Sequence, residues 1–211
     1  MAIMKSILIT LFCVLQFTMF SPANAVADTI KILALGDSLT AGYGLGPGDG
    51  FVDVLQSHLD SNAIDVEIIN AGVSGDTTKG GLARLEWALF DQPDTAIVAL
   101  GGNDMLRGLS PDQSYENLRA ILHKLQDENI PVLLAGMLAP ANMGAEYQAE
   151  FDAIYPQLAT EFDVVYYPFF LDGVALDPEL NQPDGLHPNK KGVQVMAHKI
   201  TPFIKALVEK R

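Results

Sequence analysis

The fold of this chain follows from one stretch, Ile30-Lys31-Ile32-Leu33-Ala34-Leu35-Gly36-Asp37-Ser38-Leu39-Thr40. Residues 30–35 are apolar except for Lys31, which predicts a strand buried on both faces, as in a parallel sheet. The run ends at Gly36, and a glycine-rich turn begins after Thr40. Ligands of open α/β sheets bind at the carboxyl ends of the strands, so Ser38 is a candidate nucleophile. The alternative is that this serine only caps a helix.

Four further apolar runs of strand length follow, and helical segments separate them. We predict these strands at residues 66–70, 95–100, 131–137 and 164–166. The segments between them, and the one after the last strand, carry apolar residues at helical spacing. This alternation predicts a five-stranded parallel sheet covered on both faces, which right-handed crossovers complete as a three-layer α/β/α sandwich. We find no repeat or linker and expect one domain.

The first 25 residues have the features of a secretory leader. An apolar run over residues 7–20 follows Lys5, and Ala23-Asn24-Ala25 fits a cleavage site. The run is shorter than the ~20 residues of a spanning helix, which favours cleavage over a retained anchor. Residues 1–25 are therefore the expected leader, with residue 27 as an alternative end, and 26–211 the mature domain. We expect the domain to be periplasmic or secreted, without stable membrane insertion.

Charge and cysteine content exclude several classes of function. The chain has 13 basic and 26 acidic residues, a formal net charge of −13. This excess argues against binding to nucleic acid or to anionic lipid. The one cysteine, Cys13, lies in the expected leader, so the mature domain has no disulfide and no cysteine metal site. No second histidine clusters with His187, so we expect no metal.

A nucleophilic serine requires a base, and His187 is the best candidate. It lies in a loop rich in glycine and proline before the last predicted helix, and Asp184 precedes it by three residues. In a tight loop, this spacing can bring a carboxylate to the imidazole, where it fixes the tautomer and stabilises the imidazolium. The alternative is a plain turn with a surface histidine. The other three histidines lie within predicted helices: His58, His123 and His198.

Stabilisation of an oxyanion requires hydrogen-bond donors at the same edge of the sheet. Gly75 lies in the loop after the second predicted strand, and a glycine lets a backbone N–H approach a ligand closely. Asn103 follows the third strand and offers a side-chain amide. Because parallel strands share their carboxyl ends, both groups are expected near Ser38, although each alone is also compatible with an ordinary turn.

Taken together, these residues resemble the four sequence blocks of the SGNH hydrolases, also called the GDSL esterase/lipase family. The matching segments are Gly36-Asp37-Ser38-Leu39, Gly75, Gly101-Gly102-Asn103-Asp104 and Asp184-Gly185-Leu186-His187. The resemblance implies a flavodoxin-like sandwich, a Ser38–His187–Asp184 triad, and an oxyanion hole formed by Ser38, Gly75 and Asn103. It implies no cofactor. A ligand-binding module of flavodoxin type is the alternative from another class, but the chain lacks a phosphate loop.

Within the family, the chain is most similar to the periplasmic thioesterase, lysophospholipase and arylesterase group. Segments such as Ser74-Gly75-Asp76-Thr77 and Asp184-Gly185-Leu186-His187-Pro188-Asn189 carry this similarity. The resemblance implies a small-molecule acyl ester or thioester as substrate, and we expect a monomer. A carbohydrate O-deacetylase is the alternative within the family.

We expect the substrate groove to be lined by residues of the loops that follow the strands. The glycine-rich segment 44–50 and Met105 depart from the pattern of the group, so its acyl-length preference does not carry over. The alternative is that the apolar residues only pack their own loops. The candidates for substrate contact are Asp37, Met105, Leu106, Leu109, Leu138 and Met143.

Overall fold

A computed structural model describes residues 29–211 of the chain. The expected leader and both candidate cleavage sites lie outside the described residues. Within them, no helix combines the length and apolarity needed to cross a membrane.

The centre of the molecule is a five-stranded sheet in which all strands are parallel. Its strands are arranged in the order β2-β1-β3-β4-β5, so the first strand is internal. Gly36 pairs with Gly72 on one side and with Ala99 on the other, so three neighbouring strands end level. The strands are β1 (Ile30–Gly36), β2 (Val66–Gly72), β3 (Thr95–Ala99), β4 (Val132–Ala135) and β5 (Val165–Tyr167). The predicted parallel sheet is confirmed, with boundaries shifted by one or two residues.

Helices cover both faces of the sheet, which confirms the α/β/α sandwich. The helices are α1 (Ser38–Ala41), α2 (Phe51–Ser61), α3 (Thr78–Ala88), α4 (Gly102–Leu106), α5 (Pro111–Asp127), α6 (Ala145–Phe162) and α7 (Lys190–Glu209). α2 packs with α7 on one face, and α5 packs with both α3 and α6 on the other. The short helices α1 and α4 were not predicted, because four or five residues are too few to establish a helical period.

Local sequence explains where several of these elements begin and end. The side chains of Ile32, Leu33 and Leu35 are fully buried, as the apolar run predicts for a central parallel strand. Asn189 caps α7, because its side chain accepts the N–H groups of Lys191 and Gly192. At the start of α5, Ser110 precedes Pro111, but the Ser110 side chain makes no capping hydrogen bond.

The strand order places a topological switch point between β1 and β3. The chain leaves β1 toward β2 on one side and returns to β3 on the other, and ligands of open α/β sheets bind at such a point. The short helix α1 lies here against the end of β2. A Cβ atom on Gly72 would overlap the backbone of Ala41, with only 2.8 Å to its Cα. The missing side chain of Gly72 therefore allows α1, and with it Ser38, to approach the sheet.

We expect Gly72→Ala to lower the free energy of unfolding by about 1–3 kcal/mol, because the added methyl group must displace α1. Urea unfolding of the purified protein measures this difference. Gly46→Ala is the matched control, since a Cβ atom there meets only the flexible Asp49 carboxylate at 3.3 Å. Equal stability of the two variants would contradict the proposed close approach.

Candidate active site

Ser38 lies directly after β1, where it is the first residue of α1. The helix is capped by Asp37 and not by the serine: the Asp37 carboxylate accepts the N–H of Leu39 at 3.0 Å. The Ser38 hydroxyl is therefore not engaged in capping. The residue is 9 % exposed, so it is recessed but reachable at the edge of the sheet.

The loop before α7 brings His187 to this serine. Nε2 of the imidazole lies 2.9 Å from Ser38 Oγ, and Nδ1 lies 2.7 Å from Asp184 Oδ2. A carboxylate can only accept a hydrogen bond, so Nδ1 carries the proton when the ring is neutral. Nε2 is then free to accept the proton of the serine hydroxyl. Three side chains expected from the sequence thus form one hydrogen-bonded chain.

Asp184 is fixed by its own loop. Its Oδ1 accepts the backbone N–H groups of His187 at 3.0 Å and of Leu186 at 2.9 Å. These two bonds, with the bond from the His187 ring, lower the pKa of Asp184 to about 2. The carboxylate is therefore ionised throughout the neutral range, as a group that orients an imidazole must be.

Gln182 connects the His187 loop to the segment after α1. Its backbone N–H donates to the carbonyl of His187 at 2.7 Å, and its side-chain amide donates to the carbonyl of Tyr43 at 2.8 Å. The Tyr43 ring lies 4.7 Å from the His187 ring, centroid to centroid. Neither residue was expected from the sequence, because a side chain that binds a distant backbone carbonyl leaves no periodic pattern.

The segments that carry the two other expected donors are braced by arginines. Arg107 donates to the carbonyl of Gly75 at 2.7 Å, and Gly75 has a φ of 82°, which glycine adopts without strain. Arg84 donates to the carbonyl of Gly36 at 2.9 Å and pairs with Asp76 at 2.6 Å. These contacts tie the loop after β2 to the end of β1 and to α4. Neither arginine was predicted from the sequence.

Asn103 is the second residue of α4, and its side-chain amide is held by Asp37. Nδ2 donates to Asp37 Oδ2 at 3.2 Å. The next residue, Asp104, is buried and accepts the N–H of Thr78 at 2.8 Å together with its hydroxyl at 2.6 Å. Asp104 therefore fixes α4 against the start of α3, which positions Asn103 relative to the loop that contains Gly75.

The six residues expected to contact substrate differ in exposure: two are exposed, two are half-buried and two are buried. Leu106 and Leu138 are 54 % and 43 % exposed, whereas Leu109 and Met143 are half-buried. Met105 and Asp37 are only 7 % and 3 % exposed, so they offer almost no surface to a ligand. Met105 belongs to the hydrophobic core, and both oxygens of Asp37 bind protein groups.

Burial dominates the ionisation of Asp37. It raises the pKa of Asp37 to about 6, although the bonds from Leu39 and Asn103 and the nearby His187 act in the opposite direction. Within residues 29–211, no three His, Cys, Asp or Glu side chains lie together in a group that could hold a metal ion. The other three histidines lie in α2, α5 and α7, as the sequence predicts.

We expect Asp37 to make the stability of the protein depend on pH. Its pKa is higher in the folded state than its ordinary value of 3.8, so its stabilising contribution is complete below pH 3.8 and lost as pH rises through about 6. The loss amounts to about 3 kcal/mol at most. Asp37→Asn removes this titration. Measured by urea unfolding, the stability of the variant relative to wild type should therefore improve from acidic to mildly alkaline pH. A difference that does not change with pH would contradict the assignment.

Comparisons with known proteins show the family of this chain. A model of the GDSL-like Lipase/Acylhydrolase family matches residues 34–195. Thioesterase 1/protease 1/lysophospholipase L1 of Escherichia coli is 42 % identical over 185 residues, which cover 87 % of this chain and 86 % of that protein. Esterase TesA of Pseudomonas aeruginosa is 37 % identical over 186 residues, which cover 88 % of this chain and 92 % of that protein.

A solved structure is similar over nearly its whole length. The crystal structure of AlinE4, described as an SGNH-hydrolase family esterase, has a TM-score of 0.73 to this chain at 50 % identity. The match covers 87 % of this chain and 99 % of that one. The family model spans β1 to the first half of α7 and therefore includes every residue of the site described above. This chain is a member of the GDSL-like lipase/acylhydrolase family.

Proposed function

We propose that this protein is a serine hydrolase that cleaves carboxylic esters and thioesters of acyl groups through an acyl-enzyme. The observation that carries the proposal is the continuous hydrogen-bonded chain from Ser38 through His187 to Asp184. Family membership and the names of the relatives, which include a thioesterase, a lysophospholipase and esterases, support the same reaction class.

In the first half of the reaction, Ser38 Oγ attacks the acyl carbonyl carbon while His187 Nε2 accepts the hydroxyl proton. Asp184 remains ionised and stabilises the imidazolium. Collapse of the tetrahedral intermediate breaks the bond to the leaving oxygen or sulfur, which receives the proton from His187. Water then attacks the acyl carbon of the acyl-Ser38 ester with His187 as base. The bond to Ser38 Oγ breaks, Oγ receives the proton from His187, and the carboxylic acid is released.

Three donors are available for the oxyanion. Within residues 29–211, the backbone N–H groups of Ser38 and Gly75 make no hydrogen bond to the protein, so both are free for a ligand. Asn103 uses one N–H of its amide on Asp37 and keeps the other. We assign the oxyanion hole to these three groups, because free donors at the edge of the sheet are what the developing charge requires.

Exposed apolar side chains in the loops around the site favour substrates with an extended acyl chain over acetyl esters. Leu106 and Leu138 follow β3 and β4, and Val73 and Leu186 are exposed in the loops after β2 and β5. Exposed large apolar side chains at one edge mark a surface for a hydrophobic ligand. Exposed apolar side chains give no support to a carbohydrate as the substrate.

Export of the protein is a further part of the proposal and depends on sequence alone. The apolar run over residues 7–20 and the small residues up to Ala25 support cleavage of a leader and release of residues 26–211. The mature domain would then act in the periplasm or outside the cell.

We expect a fluorophosphonate probe to label the wild-type protein at a single site and to leave Ser38→Ala unlabelled. Hydrolysis of p-nitrophenyl butyrate by this variant should fall by roughly 10³-fold or more, with unchanged thermal unfolding. Ser57→Ala is the control, because Ser57 lies on α2 and its hydroxyl binds only the carbonyl of Asp53. Labelling of Ser38→Ala at the wild-type rate would refute the proposed nucleophile.

We expect kcat/KM to be higher for p-nitrophenyl octanoate than for the acetate, because the longer chain buries apolar surface at the rim. Each buried methylene contributes about 0.8 kcal/mol at most. Leu106→Ser together with Leu138→Ser should reduce the preference mainly through the octanoate, while activity on the acetate stays within about two-fold. A preference for acetate in the wild type would instead favour the deacetylase alternative.

A further inference from the structure

Asp37 is the one polar side chain of the first sequence block that the proposed mechanism does not use. It is 3 % exposed, so it offers almost no surface to the substrate that the sequence predicts it to contact. Its two oxygens are divided between two partners: Oδ1 accepts the N–H of Leu39, and Oδ2 accepts Nδ2 of Asn103. The carboxylate therefore lies behind the amide that is assigned to the oxyanion hole.

The hydrogen-bond partner of an asparagine side chain determines whether the nitrogen or the oxygen of the amide faces that partner. The side chain of Asn103 has a donating nitrogen and an accepting oxygen at nearly the same distance from its Cβ. An ionised carboxylate only accepts, so it admits the nitrogen and rejects the oxygen. A protonated carboxyl group can also donate, and it then tolerates the amide in the reversed orientation. Reversal would turn oxygen lone pairs toward the oxyanion in place of an N–H.

We propose that Asp37 is a positioning residue that, as a carboxylate, holds the Asn103 amide with its nitrogen directed into the oxyanion hole. The inference rests on the proposed function, because it assigns to Asp37 an effect on that same site. Asp37 touches neither substrate nor reacting atoms in this scheme. Its effect on the oxyanion hole passes through Asn103, separately from the capping bond to Leu39.

Burial and the nearby charges together set the pH range in which Asp37 ionises. Among the described residues, His187 from the loop before α7 and Asp104 from α4 act on Asp37 through their charges, and Asp37 acts in the same way on Tyr155 from α6. A protonated His187 lowers the pKa of Asp37 and Asp104 raises it, but burial outweighs both and brings the value to about 6. Burial also raises the pKa of Tyr155, which stays neutral. Asp37 thus changes from neutral to ionised between mildly acidic and mildly alkaline pH.

The first test is a double-mutant cycle between Asp37→Asn and Asn103→Ala. Asn103→Ala alone should lower kcat by roughly 10²- to 10³-fold, as removal of an oxyanion donor does. Asp37→Asn should lower kcat by about ten-fold with little change in KM, because an amide at position 37 accepts either end of Asn103. In the Asn103→Ala background, Asp37→Asn should change kcat by less than about two-fold.

Two results of this cycle would overturn the proposal. One is an Asp37→Asn effect of the same size in both backgrounds, which would show that Asp37 acts independently of Asn103. The other is an unchanged or higher kcat for Asp37→Asn alone, since removing a negative charge near the oxyanion would then be the dominant effect. Asp94→Asn is the matched control: this carboxylate accepts the N–H of Lys31 far from the catalytic edge, and its loss should leave kcat unchanged.

The second test does not depend on folding of the Asp37 variant. The ratio of wild-type kcat to Asn103→Ala kcat is measured from about pH 5 to about pH 8 with p-nitrophenyl butyrate, read at the isosbestic wavelength of the product. Any pH dependence that is common to both enzymes cancels in the ratio. The ratio should rise with pH as Asp37 ionises. A ratio that is constant over this range would overturn the proposal.

Failure of the proposed function gives a different result from failure of this inference. If Ser38 is not the nucleophile, the wild-type protein neither hydrolyses the ester at Ser38 nor reacts there with the fluorophosphonate. If only the role of Asp37 is wrong, wild type and Asn103→Ala still differ as expected, and the cycle is additive or the ratio is flat.

Discussion

The hydrogen bond between Ser38 Oγ and His187 Nε2 is the contact on which the whole site depends. It joins residues that are 149 positions apart in sequence and spans 2.9 Å. Such a bond weakens steeply when its geometry changes, so both partners must be fixed on the same support. The parallel sheet provides that support, because all five strands end at one edge and the loops that follow them meet there.

Side chains that donate to backbone carbonyls hold these loops in place. Arg84 binds the carbonyl of Gly36, Arg107 that of Gly75, and Gln182 that of Tyr43. The two arginine contacts are charge-assisted and therefore stronger than bonds between neutral groups. Each contact links segments that are distant in sequence but adjacent at the carboxyl edge of the sheet. Together with the capping of α1, they position Ser38, the loop of Gly75 and His187 relative to one another.

The two buried carboxylates near the site serve different purposes. Asp104 accepts hydrogen bonds from the N–H and hydroxyl of Thr78 and from the hydroxyl of Ser114. These bonds stabilise the packing of α3, α4 and α5. Asp37 has fewer partners, and burial leaves it with a raised pKa. Burial of this charge destabilises the fold at neutral pH, and on the proposed role of Asp37 this is stability given up for function. The sequence places both residues beside site residues but does not distinguish their roles.

The sequence alone determined the layers, the parallel sheet and five residues of the candidate site. Buried strands such as Ile30–Gly36 are recognisable because burial on both faces requires a continuous apolar run. The candidate site residues come after such strands, as Ser38, Gly75 and Asn103 do, or lie in a tight loop, as Asp184 and His187 do. Only the tertiary structure decided that Asp37 is buried and binds Asn103, that Met105 is in the core, and that Gln182 reaches Tyr43. These outcomes depend on which side chains meet across the sheet edge, and neither hydrophobic period nor local propensity encodes contacts between residues far apart in the chain.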